Sequence, residues 1–192
     1  MKLSALAGAV SAAALLAAAP VAFADHHGGM NHSSATAGGA ANYADKTIVE
    51  TAIASPNHTT LVAAVVAAGL AETLSGPGPF TLFAPTDAAF AALPAGTVET
   101  LVQPANKAIL TKILTYHVVA GRVAAADVIA LIQAGGGSAA ITTVSGDTLT
   151  ASLRGGSVIL TDENGGVATV TTADLLQSNG VIHVTDAVSI PN

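Results

Sequence analysis

Histidines close to the N-terminus are the first residues that could carry chemistry. The sequence places Asp25, His26 and His27 together, followed by Met30 and His32. If the chain is cut before Asp25, the free α-amine, two deprotonated backbone amides and the imidazole of His27 form a square-planar set of nitrogens, the geometry that Cu(II) and Ni(II) prefer. Met30 and His32 lie close enough to add softer ligands for Cu(I). The alternative is a solvated, low-complexity tail whose histidines bind no metal.

The residues before Asp25 predict this cleavage. Lys2 gives a short basic start, and an apolar, alanine-rich run extends from Ala5 to Ala19. The triplet Ala22-Phe23-Ala24 has the small-x-small pattern of a signal peptidase site, so residues 1–24 are interpreted as a secretory signal. The alternative is an uncleaved membrane anchor, but the run falls short of the ~20 strongly hydrophobic residues of a spanning helix. We therefore expect a secreted, extracellular or periplasmic protein with no membrane span after cleavage.

Composition limits the kinds of protein to which the mature chain can belong. Removing 24 of the 192 residues leaves 168, the size of one domain with a short tail. Five Lys and Arg then face twelve Asp and Glu, and no basic cluster exists, so we expect no nucleic-acid partner. Cysteine is absent, which excludes disulfides, thiol nucleophiles and cysteine-ligated zinc. Stability must therefore come from an aliphatic core.

The elements that must position any site follow from the pattern of apolar residues. Residues 25–45 are rich in Gly, Ala, Ser and His without periodicity and are predicted to form a flexible leader, and residues 46–192 form the domain. Helical spacing predicts an early pair of helices, the second with Leu61, Ala64, Val65 and Ala68 inward and Gly69 at its end. It also predicts a helix after Pro104 with Ile109, Leu110, Ile113 and Leu114 inward, and a helix from Ala125. Alternation predicts a strand at Phe80–Ala84 and five strands beyond residue 138. Helices first and hairpins later indicate an α+β domain with antiparallel sheet.

Three blocks of sequence together resemble one known family. Phe80 to Phe90 reads FTLFAPTDAAF and resembles the first signature of the fasciclin family. Tyr116-His117-Val118-Val119 is similar to its central tyrosine-histidine motif, and Asn179 to Asp186, NGVIHVTD, resembles its second signature. The blocks occur in the family's order, and the resemblance extends over residues 46 to 191.

The resemblance implies a fold of two β-sheets set in a wedge or sandwich, with several helices packed along them. It also implies an extracellular or periplasmic role in binding and adhesion, with a protein or polysaccharide partner, and it implies no reaction. The chain resembles the small, single-domain bacterial members. We expect a monomer with no required cofactor, the N-terminal Cu(II) or Ni(II) site being the alternative function.

Tyr116 and His117 are the candidate partner-binding residues, because the family's tyrosine-histidine region has been linked to receptor binding in animal relatives. The residues themselves favour another interpretation. Neighbouring side chains on a strand point to opposite faces, so Tyr116 would pack while His117 hydrogen-bonds to backbone or hydroxyl. Thr86 or Asp87 is expected to cap the short helix that follows, and His183 to lie at the sheet surface or beneath a loop.

Catalysis is not expected. No GxSxG, HExxH or phosphate-loop pattern is present in the sequence. A triad of His117, Asp87 and a hydroxyl is compatible with the sequence, but nothing selects it. We therefore predict no catalytic residues.

Overall fold

The computed structural model describes residues 42–192, and it confirms an α+β architecture. Seven α-helices are found in this part of the chain, with a 3₁₀ turn at Pro104–Asn106 before the sixth: α1 Ile48–Ala54, α2 Thr59–Ala68, α3 Ala71–Ser75, α4 Asp87–Ala91, α5 Thr97–Leu101, α6 Lys107–Tyr116 and α7 Ala125–Ala134. The strands of the same residues are β1 Asn42–Tyr43, β2 Phe80–Pro85, β3 Val118–Ala120, β4 Ser138–Thr142, β5 Thr148–Arg154, β6 Ser157–Thr161, β7 Val167–Gln177 and β8 Gly180–Thr185.

The strands follow the spatial order β3-β2-β8-β7-β6-β5-β4, and β1 lies beside the end of β7. Most neighbours are antiparallel, as expected, but β2 pairs with β8 in parallel, and so does β1 with β7. The predicted antiparallel pairing therefore predominates, and the two parallel pairs make the sheet mixed. Hairpin signals report only on strands that are close in sequence, whereas β2 and β8 are brought together from opposite ends of the domain. β1 lies in the last residues of the segment expected to be leader.

Strand β7 joins the two halves of the sheet. Its first residues, Val167–Thr169, pair with β6, and the remainder pairs with β8 through two register shifts. Asp174 lies at one of these irregularities with a φ of 58°, an unusual value for a residue other than glycine. Its carboxylate accepts the Ala125 N–H at 2.8 Å and so caps the first turn of α7. The bend in the sheet and the start of α7 are thus fixed together.

Two hydrophobic cores lie on opposite faces of β2 and β8. Leu82 of β2 and Ile182 of β8 enter the first core, whereas Phe83 enters the second. Because both faces are covered, Thr81 to Pro85 are all buried, and the polar-apolar alternation of a half-exposed strand is absent. Helices α1, α2 and α6 cover the first core, and α7 covers the second; the principal residues are Ile48, Leu61, Leu110 and Leu114 in the first, and Tyr116, Val128, Ile132, Leu149 and Leu160 in the second.

Most of the predicted helical faces agree with the structure. Leu61, Ala64, Val65 and Ala68 form the buried stripe of α2, which ends at Gly69 in the left-handed conformation. Ile109 is the exception, since its side chain is 55% exposed instead of facing inward. The buried stripe of α6 runs through Leu110, Ile113 and Leu114. Ile109 is four residues before Ile113 and so lies on the same side of the helix, within about 40°, but it belongs to the first turn, where the side chain is not covered.

Strand β4 is the last strand in the order of the sheet, and a residue just beyond its end is hydrogen-bonded to β3. Just beyond the strand, the Val144 N–H donates to the Val118 carbonyl of β3 at 2.7 Å, so the two outermost strands of the order meet there. The remainder of β4, from Ser138 to Thr142, pairs with β5 on one side. Its other side has no neighbouring strand in the described part of the chain.

Candidate functional site

Tyr116 ends α6 and lies in the interior. Its ring is 0% exposed and belongs to the second core, and its hydroxyl donates to the Thr148 carbonyl at 2.9 Å. Burial raises the pKa of Tyr116 to about 12, so the phenol is a neutral hydrogen-bond donor at any physiological pH. The residue ties the end of α6 to the start of β5.

His117, at the C-cap of α6, is also buried, with 2% of the side chain exposed. Nδ1 is 2.8 Å from the Ile113 carbonyl and must carry the proton, because a carbonyl only accepts. Nε2 accepts the Ser189 N–H at 3.1 Å and must therefore be unprotonated. Burial lowers the pKa of His117, and the bond to Ile113 and the nearby Asp162 carboxylate do not offset this effect. The neutral ring thus holds the C-terminal segment.

The partner-binding role of Tyr116 and His117 stays a prediction, and their burial bears on it. Both rings have internal hydrogen-bond partners and almost no surface, so a molecule docking on the folded domain does not reach them. Their edge-to-face contact, with ring centroids 6.4 Å apart, is part of the packing. In the folded domain they position other segments.

His183 mirrors His117 with the opposite tautomer. Its ring stacks on Phe83 at 5.5 Å, and its Nε2 donates to the Val123 carbonyl at 2.9 Å. Nδ1 accepts the Asp174 N–H at 3.3 Å. Burial lowers the pKa of His183, so the ring is neutral as well. Of the two positions expected for His183, the one beneath a loop is correct, because the ring lies under the segment that leads into α7.

Of the two residues expected to cap α4, Thr86 does so, whereas Asp87 caps a different helix. Its carboxylate accepts the backbone N–H groups of Thr59 at 3.2 Å and Thr60 at 2.7 Å, and the Thr59 hydroxyl at 2.7 Å, so it caps α2. Its own helix, α4, is capped by the Thr86 hydroxyl. Burial would raise the pKa of Asp87, but the bonds from Thr60 and Thr59 outweigh it and lower the pKa. The first signature thereby connects α4 with α2.

His58 lies beside this cap and is 8% exposed. Its Nδ1 is 2.7 Å from the Ser55 hydroxyl, whereas its Nε2 is a buried atom without a hydrogen-bond partner in the described structure. Burial lowers the pKa of His58, and the attraction of the Asp87 carboxylate offsets this only in part. The positively charged form of the His58 ring is therefore disfavoured.

Asn179 has a structural role that was not predicted from the sequence. Its Oδ1 accepts the Ile48 N–H at 2.9 Å, and its Nδ2 donates to the carbonyls of Leu74 at 2.8 Å and Gly76 at 3.0 Å. It thus joins the start of α1 to the end of α3. The next residue must be Gly180, because a Cβ there would lie 2.0 Å from the Phe80 carbonyl oxygen. An Asn-Gly pair just before a buried strand is the only signal for this role.

The candidate metal ligands Asp25, His26, His27, Met30 and His32 lie outside the described residues, as does the expected signal. Within residues 42–192, no three His, Asp or Glu side chains are grouped in a way that could hold a metal ion. None of the helices there is long and apolar enough to cross a membrane.

The polar side chains of the three blocks therefore hold neighbouring segments in place. His117 binds the C-terminal segment, His183 the loop before α7, Asp87 the start of α2, and Asn179 the helices α1 and α3. The fasciclin domain model matches residues 56–191, and the chain belongs to the fasciclin family. Both the resemblance seen in the sequence and the expected fold class are confirmed.

Individual relatives extend from bacteria to animals. Protein sll1483 of Synechocystis is 50% identical over 158 residues, which cover 82% of this chain and 81% of that protein. Immunogenic protein MPB70 of Mycobacterium bovis is 35% identical over 71% of this chain and 65% of its own length. The structure of a FAS1 domain pair from the insect cell adhesion molecule fasciclin I superposes with a TM-score of 0.65 at 18% identity, covering 74% of this chain and 50% of that one. This last likeness shows the fold.

Proposed function

We propose that the protein is a secreted or periplasmic fasciclin-domain module that binds an extracellular protein or polysaccharide and serves in adhesion, without catalysing a reaction. One observation carries the proposal: the polar side chains of the signatures are engaged inside the fold. His117 and His183 each use both ring nitrogens, and Asp87 and Asn179 each hold two or more backbone groups. Groups committed in this way are not available to a substrate, which favours a binding surface on a rigid scaffold over an active site.

Family membership supports the same function. The insect protein that shares the fold is described as a cell adhesion molecule. The predicted signal at residues 1–24 would deliver the chain to a compartment where such partners occur.

A binding screen tests this proposal directly. Residues 25–192 would be applied to a glycan array and to immobilised matrix proteins, and we expect saturable retention on at least one surface. Acid-unfolded protein is the control and should not be retained. Absence of retention by the folded protein on every surface would contradict the proposal.

A His117→Ala variant tests whether the His117 ring takes part in binding the partner. We expect it to lose binding only in proportion to the fraction of molecules that unfold, because the ring lies in the interior. A variant that stays folded and yet no longer binds would place His117 in the contact.

The N-terminal metal site is the second proposed function, and it rests on the order Asp25-His26-His27. If cleavage follows Ala24, we expect a copper titration of the mature chain to give the visible absorption band of a four-nitrogen Cu(II) site. His27→Ala should remove the band, whereas His32→Ala, the matched control, should keep it. A band that is unchanged in His27→Ala would reject the site.

A further inference from the structure

Two asparagines in the chain are followed by glycine, and the structure places them in opposite environments. Asn164-Gly165 lies in the turn between β6 and β7, where residues 163–167 are exposed. Asn179-Gly180 is buried at the start of β8. An asparagine amide reacts most readily with the backbone when glycine follows, because glycine has no Cβ to shield its nitrogen and rotates freely. The two pairs therefore differ in whether the fold permits this reaction.

Only a few exposed contacts hold Asn164 in its turn. Its side chain makes one hydrogen bond in the described structure, from Nδ2 to the Ile190 carbonyl at 2.9 Å. The Gly165 N–H donates to the Asp162 carbonyl at 3.1 Å and closes the turn. Gly165 has a φ of 83°, and a Cβ there would meet no atom within 4 Å, so its surroundings leave room for movement. An exposed turn of this kind opens at a low cost in free energy.

Asn179 is restrained where Asn164 is not. Its amide group makes three hydrogen bonds to backbone groups at the start of α1 and the end of α3. Gly180 is packed so closely that a Cβ would lie 2.0 Å from the Phe80 carbonyl oxygen, and it pairs with β2 and β7. Reaction at this pair requires the centre of the sheet to open, which has a much higher free energy than the opening of a turn.

We propose that Asn164 is a site of spontaneous deamidation and that the product loosens the C-terminal segment, residues 188–192. In the first step the Gly165 nitrogen loses its proton to hydroxide and bonds to Cγ of Asn164, while Nδ2 takes a proton from water and leaves as ammonia. The five-membered imide so formed adds water at one of its two carbonyls. Cleavage of the C–N bond at that carbon gives either aspartate or isoaspartate at position 164.

Both products weaken the attachment of the C-terminal segment. A carboxylate oxygen replaces the Nδ2 that donates to the Ile190 carbonyl, so two acceptors face each other. Isoaspartate also lengthens the main chain between the N–H groups of residues 164 and 166, which both donate to Oδ1 of Asp162. Oδ2 of the same carboxylate accepts the Ile190 N–H at 2.9 Å, so a change in the turn is passed to the segment through Asp162.

Ageing of the folded protein at mildly alkaline pH tests the reaction. Protease cleavage before Asp174 places Asn164 and Asn179 in different peptides, so mass spectrometry follows each amide separately. Asn164 should deamidate at least about a hundredfold faster than Asn179, because Asn179 reacts only when the core opens. In urea the two rates should become similar. Asn57, which is exposed but followed by histidine, is the control for the effect of glycine and should stay intact.

Hydrogen exchange at the Ile190 amide measures the consequence. Loss of one hydrogen bond corresponds to about two- to tenfold faster exchange in the aged protein than in the fresh protein. Asn164→Gln is the matched control: it keeps an amide, but its imide would need a six-membered ring, so ageing should change neither its charge nor its exchange. An Asn164 that stays intact, or reacts no faster than Asn179, would overturn the site. Unchanged exchange at Ile190 after deamidation would overturn the effect on the C-terminal segment.

Discussion

Acidification from pH 7 to pH 5 is expected to destabilise the domain steeply, because three histidines are buried as neutral rings. His58, His117 and His183 all have a pKa below the ordinary value of an imidazole, with burial as the main cause. In the unfolded chain the same rings bind a proton near pH 6.5. Below that pH the unfolded state binds protons that the folded state does not, so the free energy of unfolding decreases as the pH decreases.

The hydrogen bonds explain why the folded rings resist protonation. A proton on Nε2 of His117 would face the Ser189 N–H, and a proton on Nδ1 of His183 would face the Asp174 N–H, so each would replace an acceptor with a second donor. Each histidine protonated only in the unfolded state contributes about 1.4 kcal/mol per pH unit. For the three rings together, about 4 kcal/mol per pH unit is the upper bound of the slope, which is a large part of the stability of an ordinary domain.

Urea unfolding at pH 7, 6 and 5 measures this slope. Replacing His117 or His183 with Gln should lower the stability at pH 7 and reduce the slope, by at most about 1.4 kcal/mol per pH unit for each ring removed. The carboxylates with a lowered pKa, Glu50 and Asp87, lose their contribution only at more acidic pH and do not disturb this window. Equal stability at pH 7 and pH 5 would show that the rings are accessible to protons in the folded state.

Asn179→Ala is expected to be the most damaging exchange of a single uncharged polar side chain. It leaves the Ile48 N–H and the carbonyls of Leu74 and Gly76 without their partner in a buried place. A buried group left unsatisfied costs about 1 to 3 kcal/mol, so we expect a loss of about 3 to 5 kcal/mol, measured by urea unfolding at pH 7.

Two further variants separate this effect from general disturbance. Asn164→Ala is the matched control, because Asn164 makes one exposed bond, from Nδ2 to the Ile190 carbonyl, and should change stability by less than about 1 kcal/mol. Asn179→Asp keeps the acceptor for Ile48 but loses both donated bonds, and it should destabilise as well. If Asn179→Ala were as mild as Asn164→Ala, the bridge between α1 and α3 would have no energetic importance.

The features that could be predicted from the sequence are those determined by residues close together along the chain. Local patterns predicted Gly69 at the end of α2, the buried stripe of that helix, the hairpins after residue 138 and the family signatures, and the structure agrees with them. Ile109 shows the limit of such patterns: it lies on the predicted inward side of α6, but a periodic pattern does not say that the core leaves the first turn of the helix uncovered. The predicted fold class needed no knowledge of long-range contacts.

Contacts between residues that are far apart in the chain could not be predicted from the sequence. Asp87 was recognised as a cap, but its nearest N–H groups belong to α2, 27 and 28 residues earlier, and not to α4. Asn179 reaches across 131 residues to Ile48, and nothing in its immediate surroundings identifies that partner. Likewise, the parallel pairing of β2 with β8 depends on how both cores close around them.

The position of β8 has a consequence for how the chain is made. It is the final strand of the domain, yet it lies in the middle of the sheet, between β2 and β7. Until β8 has left the ribosome, β2 and β7 have a gap between them, and the sheet cannot be completed. If residues 1–24 direct export as predicted, the nascent domain should therefore remain unfolded during passage and complete its sheet, by slow non-local pairing, only in one late step afterwards.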